Sequence, residues 1–264
     1  MIKHLRPVWA YRSFVLGSVK REFQLKYRNS LFGAAWNIIN PLAMILVYTL
    51  IFSQVMQAKL PGLGGAYVYS IYLCAGILSW GLFDEIVSRS KNMFLEHANL
   101  LKKISFPRLC IPVTITLSAS LNFSIVFGLF TVFLLLTGNF PGIAYAALVP
   151  VLGLVVLLGV GLGMVLGVLN VFFRDIGHFA GLFITFWFWL TPIVYPASIL
   201  PDEARPLLAL NPMAAPIAAV QGIVVQSQWP QWGSLIYPAA TALMLCALGA
   251  HFFRRRAGEM VDEL

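Results

Sequence analysis

Charged residues in this chain fall in a few short clusters separated by long apolar runs. Stretches free of Lys, Arg, Asp and Glu extend from Asn29 to Ala58, Leu60 to Phe83, Leu109 to Phe173, Ile176 to Pro201 and Pro206 to Phe253. A helix needs about 20 apolar residues to cross the roughly 30 Å hydrocarbon core of a bilayer. Each run is long enough, and the third has room for two helices. The turn signal Thr137-Gly138-Asn139-Phe140-Pro141-Gly142 divides it, because Gly and Pro at that density interrupt a helix. The pattern predicts an all-α integral membrane protein with six transmembrane helices near Leu31 to Met56, Ala66 to Val87, Leu109 to Leu136, Ile143 to Phe172, Gly177 to Tyr195 and Leu235 to Phe253.

The run from Pro206 to Val225 is also apolar, but Asn211, Pro212 and Pro216 interrupt it. Charge decides its path. With six spans, one side holds seven Lys and Arg before the first span, five between the second and third, Arg174, and Arg254 to Arg256. Only Lys59 and Arg205 fall on the other side. Cytoplasmic loops carry the excess of Lys and Arg, so both termini are expected in the cytoplasm, and a seventh crossing would strand Arg254 to Arg256 outside. Residues Pro196 to Trp232 are therefore expected as re-entrant helices that dip into the outer side and return, a shape tolerated only inside protein or beside a water-filled cavity. The chain reads as one domain: residues 1–30 an interface helix, 31–253 the six spans, and 254–264 a cytoplasmic tail.

Ahead of the first span, Tyr11, Val15, Val19, Phe23 and Tyr27 recur at every fourth position, while Arg12, Lys20, Arg21 and Lys26 take other angles. This predicts an amphipathic helix along the inner membrane surface, with Trp9 as a further interfacial anchor. It acts as an anchor alone, or also in lipid-phosphate recognition or partner contact; periodicity leaves both open. Between the second and third spans, Met93, Phe94, Leu95, Leu100 and Leu101 mix with Arg89, Lys91, Lys102, Lys103 and Arg108. Ser90 is placed to cap a short helix there, and Pro107 to break the register before the third span. A merely solvated loop has no need of that apolar set, which points to docking of a cytoplasmic protein.

In the fourth span Gly159, Gly163 and Gly167 share a helix face that admits another helix closely, either within one subunit or across a dimer. At the end of the fifth, FWFWLTPIVYP (Phe186 to Pro196) sets four aromatics in succession. At about 100° per residue, Phe186 and Trp189 share a face while Trp187 and Phe188 turn elsewhere. The run is thus split between an interfacial belt and another face, and its prolines begin the re-entrant segment.

Composition narrows the function. Charged residues make up 11% of the chain, against about 25% in soluble domains, which leaves little room for a soluble domain. The first thirty residues hold seven Lys and Arg without an apolar core, unlike a cleavable signal peptide. The net charge of +8 sits beside spans, where it sets topology and meets anionic headgroups; nucleic acid is not an expected partner. Cys74, Cys110 and Cys246 lack disulfide or metal-ligand spacing, so no metal site is expected. Ion-coupled transporters keep ionisable groups at mid-membrane depth, whereas Asp84, Glu85, Arg174, Asp175 and His178 all fall near inner ends of spans. LPGLGGAY and GVGLGMVLG lack the lysine of a phosphate-binding loop. A transport function would therefore take its energy from ATP hydrolysed on another chain. The cluster Asp84, Glu85, Arg174 and Asp175 matches no catalytic spacing.

Four pieces, in order and spacing, resemble one family: LKYRNSLFGAAWNIINPL into the first span, NLLKKISFPRLCIPV into the third, NVFFRDIGHF between the fourth and fifth, and WFWLTPIVYP followed by LNPMAAPI. Over essentially its full length the chain is similar to the membrane subunit of bacterial polysaccharide ABC exporters, the Wzm-type O-antigen permeases of the ABC-2 class. The resemblance implies a homodimer around a central pathway in the bacterial inner membrane. It implies two copies of an ABC ATPase that carry the ATP and Mg, with no catalysis or cofactor in this chain. The implied cargo is a glycan on undecaprenyl diphosphate. By position, Leu95 to Lys103 resembles the coupling and gate region, with Glu96, His97, Leu100, Lys102 and Lys103 as candidates, and Val8 to Tyr27 the family's interface helix.

A diphosphate arriving from the inner leaflet needs cations near that interface; Lys26, Arg28, Arg108 and Arg174 are candidates, each also readable as a topology determinant. Aromatic faces contact the C–H surfaces of sugars weakly, which suits a sliding polymer. The candidates are Trp36, Tyr48 and Phe52 on the first span, Tyr69 and Tyr72 on the second, and Phe179, Phe183, Phe186 and Trp187 on the fifth. An ABC-2 permease for teichoic acid, a drug or another lipid would share the fold and differ in cargo. A membrane-embedded enzyme acting on lipid-linked sugars is the alternative of another class.

Overall fold

The computed structural model describes residues 11–26, 36–48, 50, 67–102, 108–256 and 258–263. Arg28, Phe52 and Lys103, and the side chains of Lys26 and Tyr48, lie outside the described residues. Every regular element described is helical. In chain order these are α1 (Arg12–Lys26), α2 (Trp36–Tyr48), α3 (Val68–Ser90), the short α4 (Met93–Glu96) and α5 (Ala98–Leu101), and α6 (Cys110–Leu136). A 3-10 turn (Gly142–Ala147) leads into α7 (Leu148–Phe172), followed by α8 (Asp175–Leu190), α9 (Arg205–Ala209) and α10 (Ala214–Gln226). A further turn (Trp232–Leu235) leads into α11 (Ile236–Arg256), and α12 (Glu259–Glu263) comes last.

Among the described residues, four helices are long and apolar enough to cross a bilayer: α3, α6, and α7 and α11 with their leading turns. The predicted turn between the third and fourth spans is present, with Gly138 and Gly142 at φ 72° and 64°, a left-handed conformation natural to glycine. Helix α8 has 16 residues and rises about 24 Å, short of the roughly 30 Å core. It ends at Leu190, ahead of the predicted Tyr195, because Pro192 forces the preceding residue out of helical geometry; Thr191 is extended at φ −101°, ψ 132°. Helix α2 is the described part of the predicted first span.

Side-chain neighbours give the direction of each helix. Gly159 lies against Ile86 and Gly163 against Ser90, so α7 runs the same way as α3. Gly161 meets Leu245 and Cys246, and Phe172 lies under the Arg256 guanidinium, so α11 runs with them. Helix α6 runs opposite, pairing Asn122 with Glu85 and Phe133 with Tyr67, as does α8, which sets Gly181 by Lys91 and Trp187 by Trp80. One end of the bundle thus gathers Arg89, Lys91, Lys102, Arg108, Arg174 and Arg254 to Arg256. The other gathers Tyr67, Thr191 to Tyr195 and the turn before α11.

Helix α7 is the centre of this block and uses glycine on two faces. Toward α3, a Cβ on Gly163 would lie 2.5 Å from the Ser90 Cβ, and one on Gly167 2.6 Å from the Ser90 carbonyl oxygen. Toward α11, a Cβ on Gly161 would lie 2.8 Å from the Cys246 nitrogen, and one on Gly249 2.7 Å from the Met164 Cβ. Among lipid tails helices gain nothing by merely hiding apolar surface, so backbone proximity and dispersion hold them. The face of Gly159, Gly163 and Gly167 is filled within the subunit. Ser90 does not cap a short helix: it is the last residue of α3, buried against that glycine face.

The re-entrant segment is present as α9 and α10 with their turns. Helix α10, 13 residues long, is about 20 Å and cannot cross. It packs on α3 and α7, burying Ile217, Val220, Ile223 and Val224. At the basic end a second core joins Met93, Phe94 and Leu101 to Ile111, Ile115, Val168 and Phe253, with Phe94 and Phe253 stacked at 5.4 Å. This corrects the reading of the loop's apolar set: Met93, Phe94 and Leu101 serve the chain's own core. What α4 and α5 leave exposed is Glu96, Asn99 and Lys102.

Candidate functional site

The basic end assembles a junction from four sequence-distant pieces. Helix α1 turns Val15 and Val19 inward onto α6, so the middle of its apolar stripe meets protein. Its Glu22 carboxylate accepts from Arg89 Nη2 at 2.6 Å. Arg89 also stands 3.8 Å from Glu85, whose other oxygen accepts from Asn122 Nδ2 at 2.9 Å. One polar chain therefore ties α1, α3 and α6. Arg89 and Glu22 are each about one third exposed, so the pair contributes on the order of 1 kcal/mol and fixes relative position more than stability.

The coupling candidates sit beside this chain. A cavity of about 460 Å³ is lined by Glu22, Arg89, Glu96 and His97 among others. A neighbouring one of about 240 Å³ is lined by Arg21, Glu22, His97 and Leu100. His97 Nδ1 lies 2.9 Å from the Met93 carbonyl oxygen; since a carbonyl can only accept, Nδ1 is the donor of this bond. Glu96, His97 and Leu100 are thus brought together with α1, and Lys102 stands exposed at the end of α5.

Asn170, near the end of α7, opens the piece NVFFRDIGHF, but nothing in the sequence gives it a role of its own. It is buried, its Nδ2 donates to Lys91 O (2.8 Å) and Asn92 Oδ1 (3.1 Å), and its Oδ1 accepts from Gly177 N (2.9 Å). A single carboxamide joins the exit of α3, the end of α7 and the start of α8. Arg174 lies exposed in the turn it braces, and Arg108 half-buried just ahead of α6. Of the four cationic candidates these two have described side chains.

Helix α8 carries the aromatic candidates, and only Ala180 and Ile184 on it are buried. Phe179 and Phe183 stack at 6.3 Å, and Phe183 meets Trp187 at 5.4 Å, a ladder along one face. Trp187 closes the ladder against Trp80 and Phe83, edge to face. Phe188 also packs on Trp80, whereas Phe186 and Trp189 are 67% and 61% exposed. The expected division of the run is therefore present. Trp36 is also exposed on α2.

Tyr69 and Tyr72 have a different use for their hydroxyls. Tyr69 donates to Val194 O at 2.6 Å, and Tyr72 to Tyr195 O at 3.2 Å with Pro192 O at 3.4 Å. Gln221 of α10 reaches Ile193 O at 3.1 Å, and a Cβ on Gly76 would sit 2.5 Å from its Nε2. Asn211 accepts from the Trp187 indole N–H and donates to Thr191 Oγ1, each at 2.9 Å. The carbonyls freed where α8 ends are thereby satisfied by side chains. Alongside lies a largely leucine-lined cavity of about 650 Å³ that Phe183, Trp187, Tyr195 and Asn211 also border. Gln221 carried no sequence signal beyond being a polar residue in an apolar stretch, and Asn211 showed only as a break in that stretch and a letter of LNPMAAPI.

Residues 15–225 match the ABC-2 type transporter family. The chain is 31% identical to the O-antigen export system permease protein RfbA of Myxococcus xanthus, an alignment that covers all of both chains. It is 27% identical to the O-antigen export system permease protein RfbA of Klebsiella pneumoniae over 89% of this chain and 88% of that one. Against the polysialic acid transport protein KpsM of Escherichia coli the identity is 20%, over 91% and 92%. The match reaches from α1 through α10, taking in the junction, the aromatic ladder and the re-entrant helices, and this chain belongs to the ABC-2 type transporter family.

Proposed function

We propose that this chain is the transmembrane subunit of an ATP-driven exporter that moves a polysaccharide, carried on undecaprenyl diphosphate, out of the cytoplasm across the bacterial inner membrane. The observation that carries the reading is the end-to-end similarity to the Myxococcus permease of O-antigen export. The end rich in Lys and Arg faces the cytoplasm by the positive-inside rule, which places both termini there. Two copies of the chain enclose the pathway, and two copies of an ABC ATPase bind beneath them with the ATP and Mg; the chain itself contributes no catalytic group or cofactor.

Residues of the junction then have distinct parts. Glu96, His97, Leu100, Lys102 and Lys103 meet the ATPase. Its motion reaches α3 along the chain, α1 through the Arg89–Glu22 pair that joins α3 to it, and α8 through Asn170, which ties Lys91 and Asn92 ahead of α4 to Gly177. Lys26, Arg28, Arg108 and Arg174 offer charge to the diphosphate near the inner interface. The ladder Phe179, Phe183 and Trp187, with Trp36, Tyr48, Phe52 and Phe186, offers aromatic faces to a sliding glycan. Tyr69 and Tyr72 contribute ring faces at most, since their hydroxyls bind backbone.

Deleting the gene in a producing strain tests the reading. Lipid-linked glycan should accumulate inside and disappear from the surface, and a plasmid copy should restore it. A normal surface glycan in the deletion strain would overturn the assignment.

A further inference from the structure

At the end opposite the basic junction, the chain after α10 folds back over its own helix. Ser227 adopts φ 55°, which turns the backbone, and Pro230 is buried. The loop from Gln228 to Gln231 and Ser234 thereby roof a cavity of about 360 Å³ over α10. Its floor is Ala215, Ala218, Ala219 and Gly222, a spacing that forms one helix face. The opposite face of α10 is buried in the core. A Cβ on Gly222 would meet nothing within 4 Å, so the floor is open.

We infer that this cavity is a saccharide-binding subsite on the exit side, which takes neutral sugar residues of the polymer as they emerge; the inference rests on the export reading above. The lining carries no ionisable group, so an anionic or cationic ligand finds no countercharge. Trp229 is 56% exposed and offers an indole face to the C–H side of a sugar ring. The carboxamides of Gln228 and Gln231 are exposed, and each pairs a donor with an acceptor, the combination that adjacent hydroxyls need. Ser234 Oγ donates to Gln231 O at 2.7 Å, which leaves its lone pairs to accept. A hydrocarbon chain is better served by the leucine-lined cavity beside α8. The volume lies at the small end of the roughly 300–1,000 Å³ typical of ligand sites, enough for a short stretch of glycan rather than a folded domain. Few contacts on an open floor give a weak grip, which restrains a polymer without stopping it.

The test uses the full complex with its ATPase, in nanodiscs of phosphatidylethanolamine and phosphatidylglycerol. Ala218→Cys reports on the floor through its rate of maleimide labelling, against the parent with its native cysteines. The probe is lipid-free oligosaccharide released by mild acid from the producing strain's own surface glycan. It should slow labelling of Ala218→Cys, and adding Trp229→Ala should raise the half-protecting concentration about fivefold, while Trp229→Phe keeps most of the protection. Gly222→Leu, whose side chain enters open space, should abolish protection in complexes that still assemble. Labelling unaffected by oligosaccharide, or equal protection with Trp229→Ala, would overturn the subsite; so would protection that follows lipid composition instead of oligosaccharide. Loss of surface glycan on deletion without protection removes the subsite and leaves the exporter. Protection together with a normal surface glycan in the deletion strain removes the exporter and leaves the subsite.

Discussion

Replacing Asn170 by alanine measures how much of the inner junction hangs on one carboxamide. The side chain is 2% exposed and makes three hydrogen bonds, to Lys91 O, Asn92 Oδ1 and Gly177 N. Each neutral bond nets about 1 kcal/mol, and a buried group left without a partner costs about 1–3 kcal/mol. Asn170→Ala leaves two acceptors, Lys91 O and Asn92 Oδ1, and one donor, Gly177 N–H, without this partner, so the expected cost is roughly 3–5 kcal/mol. At about 2–4 °C per kcal/mol for a chain of this size, the melting temperature should fall on the order of 10 °C. Heating the purified complex and scoring the monodisperse fraction by size exclusion reads this directly.

Asn170→Asp sharpens the test. The introduced carboxyl still accepts from Gly177 N–H, but its second oxygen faces two acceptors, Lys91 O and Asn92 Oδ1, and relieves that clash only by keeping its proton. Its folded pKa is therefore raised above the usual value of about 3.9. The variant should be most stable at low pH and lose stability as pH rises through the raised value. A melting temperature for Asn170→Ala within about 2 °C of the parent, or an Asn170→Asp variant insensitive to pH, would refute the hub.

Gly163→Val should cost more than about 3 kcal/mol, since overpacking alone costs about 1–3 and the Ser90 backbone cannot retreat, whereas Gly153→Val enters open space; equal folded yields by size exclusion would contradict the close approach of α3 and α7. Glu22→Gln and Arg89→Met, alone and combined, should give a coupling of about 0.5–1 kcal/mol in thermal stability; strictly additive effects would remove the link between α1 and α3. Charge reversal at Lys102 and Lys103 should lower severalfold the amount of ATPase that co-purifies; unchanged recovery would count against α4 and α5 as its docking site.

The four long spans among the described residues were legible because the membrane writes them as charge-free runs, and the turn at Gly138 to Gly142 because glycine and proline act locally. The split of Phe186 and Trp189 from Trp187 and Phe188 followed from helix pitch alone. Contacts between distant segments left no such trace. Asn170, Asn211 and Gln221 are single polar letters in apolar text, and their meaning depends on carbonyls presented by other helices. The face of Gly161 is interleaved with that of Gly159 and Gly163, so a period-four search finds one face and hides the other. Met93, Phe94 and Leu101 looked available to a partner because nothing local shows that Phe253, far along the chain, already covers them.

The central position of α7 also has a consequence for how the protein is made. Its two glycine faces are matched by α3, which precedes it in synthesis, and by α11, which follows. The first seam can close as soon as Phe172 is in place, but the second stays open to lipid and to other chains until Ile236–Arg256 has been inserted. During that interval the face around Gly161 is a vacant slot for any small-residue helix nearby. Swapping of the final span between neighbouring copies is the misfolding route this architecture invites.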